Sequence, residues 1–167
     1  MIRALEPGDW QTFREIRLQA LRGDPGFFFA PLSDEAALPP AEWQKRLERT
    51  SQRFFGYFDG TTLVGISGVV TAREDASGRT ALFVASYLRP EYRGRGIAAL
   101  FYKARFDWVR EQPRIERVIV SHRASNEPSR RAILGHGFVE TGRVLRRWPD
   151  GATDDEVLYE LRLQRGR

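Results

Sequence analysis

An apolar run over residues 81–88 is stopped by Pro90, and two glycines follow at Gly94 and Gly96. Beyond them Ile97, Leu100, Phe101, Ala104 and Trp108 recur at helical spacing. This succession of strand, glycine loop and helix constrains the fold more than any other feature. A helix entered through glycine presents amides with no partner at its positive end. With Arg93 and Arg95 beside the glycines, the loop reads as a socket for a phosphorylated ligand.

Two common phosphate motifs do not fit. The chain has no Gly-Lys-Ser/Thr, and Gly94-Arg-Gly96 is followed by Ala99 where a dinucleotide loop needs a third glycine. Residues 93–98 instead spell Arg-x-x-Gly-x-Ala, preceded by the strand and by Pro-Glu-Tyr. This strongly resembles the pyrophosphate loop of the GNAT superfamily of acyl-CoA-dependent N-acetyltransferases. The resemblance covers nearly the whole chain. Asn126-Glu-Pro-Ser-Arg-Arg-Ala-Ile-Leu-Gly-His-Gly-Phe138 is similar to the family's second motif, and residues 10–21 to its first helix. Residues 24–29, 32–35 and 40–43 resemble the loop and second helix that cover the acceptor, and residues 154–161 the last strand.

The residues supply an order of elements. Residues 2–5 read as a short strand, and Pro7-Gly-Asp9 offers an N-cap at Asp9 for the first helix. Strands over 54–58 and 63–72 are joined by Asp59-Gly60, a hairpin signal, and the strand over 81–88 is their third antiparallel partner. A helix over 94–112 and a strand over 117–121 form a crossover unit, which requires parallel pairing. A helix over 127–134 and strands over 138–147 and 155–163, linked by Pro149-Asp-Gly151, follow. The expected fold is α/β: a GNAT-like mixed, mostly antiparallel sheet of about seven strands with helices on both faces. At 167 residues one domain over 1–167 is expected.

Composition narrows the function. The net charge of +5 invites a nucleic-acid reading, yet the arginines are dispersed among different elements, many beside Asp or Glu. They read as a solvated surface, part of which could serve CoA phosphates. There is no cysteine, which removes disulfides, cysteine zinc sites and thiol nucleophiles and fits a cytoplasmic enzyme. No metal site is expected. The apolar stretches are too short for a bilayer span, and Arg3 and Glu6 interrupt any N-terminal signal region.

The resemblance implies acetyl-CoA as cosubstrate and direct attack by a primary amine of a small molecule or a protein amino group. It places the pyrophosphate on the backbone of Arg93, Gly94, Arg95, Gly96, Ile97 and Ala98. Pantetheine pairs with the strand near Leu88, whose amide polarises the thioester carbonyl. Asn126 is assigned to the cofactor, and Ser129 shares its helix; Asn126 equally suits the cap of that helix. A homodimer through the final strands is implied by resemblance alone.

One departure stands out. Many family members carry Tyr seven residues after the Asn to protonate the leaving thiolate, and here that position is Ile133. Tyr87, Tyr92 and Tyr102 are alternatives, each equally suited to packing. His122 reads either as a general base or as a histidine satisfied at a strand end. His136 suits a helix C-terminus, and Asp34, Glu35, Asp154, Asp155 and Glu156 could meet a cationic acceptor or be surface charges. The missing phenol motivates a second reading, an acyl-CoA-binding regulatory module without turnover. An arginine-rich nucleic-acid binder is the third. Acceptor selectivity is expected in residues 27–43 and 148–154, where Phe27, Phe28, Phe29 and Trp148 either line a pocket or join the core.

Overall fold

The fold turns on a sheet whose two halves are joined by one short parallel contact. The computed structural model describes residues 1–166. In chain order the elements are β1 (Ile2–Ala4), α1 (Trp10–Gly23), α2 (Leu32–Ala36), α3 (Pro40–Glu48), β2 (Gln52–Asp59), β3 (Thr62–Thr71) and β4 (Thr80–Leu88). Then come α4 (Ile97–Glu111), β5 (Arg117–Arg123), α5 (Glu127–Gly135), β6 (Val139–Arg147) and β7 (Thr153–Arg162). Single turns of 3-10 helix occupy Pro7–Asp9 and Pro90–Tyr92.

The strands lie in the order β1-β2-β3-β4-β5-β7-β6. All neighbours are antiparallel except β4 and β5, which pair in parallel over Thr80↔Arg117, Ala81↔Val118 and Leu82↔Ile119. The mixed seven-stranded sheet and the crossover through α4 are therefore as expected. Each face carries its own core. Phe13 and Ile16 of α1 and Trp43 of α3 pack on Phe54, Ile66 and Tyr87. On the opposite face Phe106 and Val109 of α4 and Ile133 of α5 pack on Phe83, Val118 and Tyr159. The 3.6-residue recurrence of apolar residues in α1 and α4 produces these buried stripes.

One local expectation is corrected. Asp9 precedes α1 but does not cap it through its side chain. Its carboxylate accepts from Arg3 Nη1 and Nη2 at 2.8 and 2.9 Å and from the Glu6 amide at 2.7 Å. A nearby guanidinium outbids the helix amides because the charged hydrogen bond is the stronger one.

The feature that shapes the site is a bulge. Ile66 pairs with Tyr87 and Gly68 with Val84, so Ser67 alone faces both Ala85 and Ser86. Ala85 takes a φ of 57°, a left-handed conformation that costs an L-residue roughly 1–2 kcal/mol. The extra residue bends β4 and turns its end away from β5.

Candidate active site

After Leu82 and Ile119 the two central strands part. β4 continues against β3 to Leu88, and β5 continues against β7 to Arg123. Residues 83–88 and 120–123 therefore face each other across a gap without strand pairing. The Arg89 amide donates to the Val64 carbonyl at 2.9 Å. By the alternation of an antiparallel ladder, Leu88 directs its own amide and carbonyl toward the gap.

The glycine loop opens directly from this gap. The Arg93 amide is engaged by the Pro90 carbonyl at 3.1 Å. Next come Gly94 at φ 74° and Gly96 at φ 77°, then α4. Among the described residues the amides of Gly94, Arg95 and Gly96 make no hydrogen bond. The first-turn amides of α4, Ile97 and Ala98 included, have no acceptor within the helix, and no side chain caps it. A Cβ on Gly94 or Gly96 would meet nothing within 4 Å, so the positive φ, not lack of space, calls for glycine. Ile97 anchors the turn in the core while Ala98 is exposed.

Both flanking arginines hold the loop itself. Arg93 donates from Nε to the Leu88 carbonyl at 2.8 Å and from Nη2 to Asp24 Oδ2 at 3.0 Å, and lies over the Tyr87 ring. Arg95 lies over Tyr92, whose hydroxyl donates to Asp59 Oδ2 at 2.6 Å; that bond raises the Tyr92 pKa. What the loop offers outward is a cradle of main-chain N–H groups at the positive end of a 15-residue helix. Such a cradle could hold a diphosphate.

Across the gap, Asn126 begins α5. Its Oδ1 accepts the Ser129 amide at 3.3 Å, while Nδ2 has no protein partner among the described residues. The amide thus caps the helix with one end and keeps a donor with the other. Ser129 is half-buried and contributes its backbone to that cap. Ile133, seven residues after Asn126, is fully buried in the core.

His122 is 5% exposed and held at both nitrogens. Nδ1 lies 2.6 Å from the Arg123 carbonyl and Nε2 2.8 Å from the Tyr159 hydroxyl. A carbonyl only accepts, so Nδ1 carries the proton, and in the neutral ring Nε2 accepts from Tyr159. This is the geometry of a satisfied strand-end histidine. Tyr87 is buried on the α1 face, and burial raises its pKa, so the phenol stays protonated at neutral pH. Tyr102 is buried on the α4 face and stacks on His136 with ring centroids 3.8 Å apart.

The α1 side of the gap is walled by charge-paired loops. Arg123 donates to Asp154 Oδ2 at 3.1 Å, to Asp150 Oδ2 at 2.6 Å and to the Gly26 carbonyl at 2.9 Å. One guanidinium thereby ties the end of β5 to the β6–β7 turn and to the segment after α1. It holds the Asp150 carboxyl below the usual range, assisted by the Ala152 amide, while Asp154 is lowered first by the Asp155 amide and then by Arg123. Phe29 stacks on Trp148 at 4.6 Å across the same junction. Phe28 packs against the core, whereas Phe27 and Phe29 stay exposed. Glu35 is buried between Arg17 and Arg46, and Glu156 accepts from Arg146. Three of the carboxylates considered for an acceptor, Glu35, Asp154 and Glu156, are already paired.

Two features went unseen in the sequence reading. The bulge at Ala85 carries no composition signal. Arg105, by contrast, had one: it sits four residues after Phe101 on the apolar stripe of α4. It is 2% exposed, donates to the Phe101 carbonyl and to Ser86 Oγ, and lies between the rings of Phe83 and Tyr102. Burial pushes its pKa down from 12.5 to about 10, opposed by the Tyr102 hydroxyl.

The sequence matches the family model described as acetyltransferase (GNAT) domain over residues 1–139. The chain belongs to the GNAT acetyltransferase family. Solved structures superpose over nearly its whole length. The GNAT-family acetyltransferase of Streptococcus pneumoniae aligns at TM-score 0.81 and 18% identity, over 98% of this chain and 99% of that one. Ribosomal-protein-alanine N-acetyltransferase from Brucella melitensis gives 0.80 and 18%, over 98% and 99%. The yncA protein of Salmonella typhimurium, solved with its cofactor acetyl-CoA, gives 0.80 and 16%, over 99% and 95%. At such identities the likeness carries the fold alone. No curated protein matches the chain. As a GNAT member it is an acetyl-CoA-dependent acetyltransferase. Among the described residues no helix is long and apolar enough to cross a membrane, and no cluster of His, Cys, Asp or Glu is placed to hold a metal.

Proposed function

We propose that this GNAT domain, spanning residues 1–167, transfers an acetyl group from acetyl-CoA to a primary amine by direct attack. The observation that carries the reading is the row of unpaired amides at residues 94–98 opening from the β4–β5 gap. In this reading those amides hold the diphosphate, and pantetheine lies along β4 as an added strand. The Leu88 amide points into the gap and stabilises negative charge as it develops on the thioester oxygen. The free Nδ2 of Asn126 donates to the pantetheine arm.

Glu35, Asp154 and Glu156 are ion-paired and His122 is held at both ring nitrogens, so none of these is free to serve as a strong base. The amine therefore enters neutral, its nitrogen forms the bond to the acyl carbon, and its surplus proton leaves to solvent. Tyr87, on the α1 face of the sheet, does not act as a base, because burial keeps its phenol protonated at neutral pH. The acceptor is a small-molecule amine or a protein amino group. The name of the Brucella neighbour makes a protein N-terminal alanine the first acceptor to try.

The test is an acetyl-CoA assay against amines and N-terminal peptides, reading thiol release and product mass. Acetylated product with stoichiometric thiol supports the enzyme reading. Tight CoA binding with no thiol released from any amine supports the alternative, a regulatory acyl-CoA-binding module, which the aliphatic residue at Ile133 favours.

A further inference from the structure

Arg105 is a buried cation without a counter-charge. Among the described residues no carboxylate lies within salt-bridge distance of it. The groups around it are the Phe101 carbonyl and Tyr102 on α4, Phe83 and Ser86 on β4, and, through Ser86, Ser67 on β3. A guanidinium withdrawn from water and left unpaired is costly. Most buried arginines escape that cost through a bidentate carboxylate. This one points at the bulge.

Ser86 stands at the mouth of the gap, two residues before Leu88, and is exposed. Arg105 Nη1 donates to its Oγ at 3.2 Å, and the fully buried Ser67 hydroxyl lies 2.7 Å away on the same oxygen. Ser67 has no other acceptor among the described residues, so its proton points to Ser86. The Ser86 oxygen then accepts twice, and its own proton is left without a protein acceptor among the described residues. A hydroxyl polarised from behind by a buried cation is a strong hydrogen-bond donor.

We infer that Ser86, held and polarised by Arg105, receives the sulfur that leaves with CoA and stabilises it as a thiolate. The inference rests on the acetyl-CoA reading above. As the new C–N bond forms, the carbon–sulfur bond breaks and sulfur keeps the electron pair. The thiolate accepts the Ser86 O–H, and no proton has to cross. Ser86 touches the reacting atom; Arg105 acts through it and is a positioning residue. The arrangement answers the aliphatic residue at Ile133: stabilisation of the leaving group comes from β4 and α4, not from a phenol on α5.

The ionisation of the bound product tests this directly. Free CoA thiol is titrated by its thiolate absorbance and compared with CoA bound to the wild type, Ser86→Ala, Arg105→Gln and Arg105→Lys. An opposite charge close by lowers a pKa by about 1–3 units, and Arg105 acts through Ser86, so the wild-type bound thiol is expected about 1 unit below free CoA. Arg105→Lys keeps part of the shift; Ser86→Ala and Arg105→Gln lose it. Ser86 is exposed, so its variant tests the point even if an Arg105 variant fails to fold. With acetyl-CoA, Ser86→Ala is expected to lower kcat roughly 10–100-fold at unchanged KM. A bound thiol that titrates like free CoA in the wild type, or identically in every variant, overturns the inference while leaving acetyl-CoA use intact. Failure of the wild type to bind CoA overturns both.

Discussion

Gly94 and Gly96 do their work through backbone shape. At φ 77° with open space around the absent Cβ, Gly96→Ala is expected to strain the loop by roughly 1–2 kcal/mol. In the proposed site the loop contacts cofactor and not acceptor, so the loss should appear as about a tenfold rise in KM for acetyl-CoA, with kcat nearly unchanged. A second residue carries a pH signature. Asp75 accepts from Ser77 and Thr80, and those bonds lower its pKa from 3.8 to about 2. A folded pKa below the unfolded one means stability present above about pH 4 and lost as pH falls toward about 2. The Tm deficit of Asp75→Asn should therefore be largest near neutrality and shrink across that window; a deficit constant from pH 7 to pH 2 would count against it. The glycines were readable from sequence because glycine marks left-handed backbone. Ala85 was not, because an alanine at φ 57° is imposed by Ser67 facing two residues, a fact of register.

At the level of elements, the site is the place where β4 and β5 separate and two helices begin beside them. Asn126 belongs to this scale because it starts α5 just beyond the end of β5. Asn126→Asp keeps an oxygen acceptor for the Ser129 amide but removes the Nδ2 donor. It should leave stability within about 1 kcal/mol of wild type while raising KM for acetyl-CoA; Asn126→Ala should lose the cap as well. A drop in Tm as large for Asp as for Ala, with no change in KM, would make the residue a cap alone. On the other side, Arg123→Met should unfasten the junction of the β5 end with the segment after α1 and the β6–β7 turn. Amide exchange in residues 24–31 and 148–154 is expected to quicken about tenfold, with β3 and β4 unaffected. The order of strands and the crossover could be read from hydrophobic runs and turn residues. The early parting of the strands could not: Pro90 marks the end of β4, but pairing with β5 already stops at Leu82.

Over the whole molecule, two cores back a single sheet and leave its central seam half open. Among the described residues the arginines are dispersed, with ion pairs scattered over α1, α3, α4, α5 and β5–β7. The junction between the segment after α1 and the β6–β7 turn was legible only as two separate segments. Their meeting through Arg123, Gly26 and Asp150 joins residues about a hundred positions apart, which no local pattern encodes. Likewise the Arg105 guanidinium could be flagged on an apolar helix stripe, but its target on β4 needed the fold. The central claim is that the amides at residues 94–98 and the seam between β4 and β5 form one cofactor site. A crystal structure with acetyl-CoA tests it most directly. The diphosphate is expected within hydrogen-bond distance of those amides, with pantetheine running between β4 and β5 and the thioester oxygen on the Leu88 amide. Acetyl-CoA seated elsewhere, for instance in the roughly 610 Å³ cavity lined by Phe106, His136 and Leu161, would contradict it.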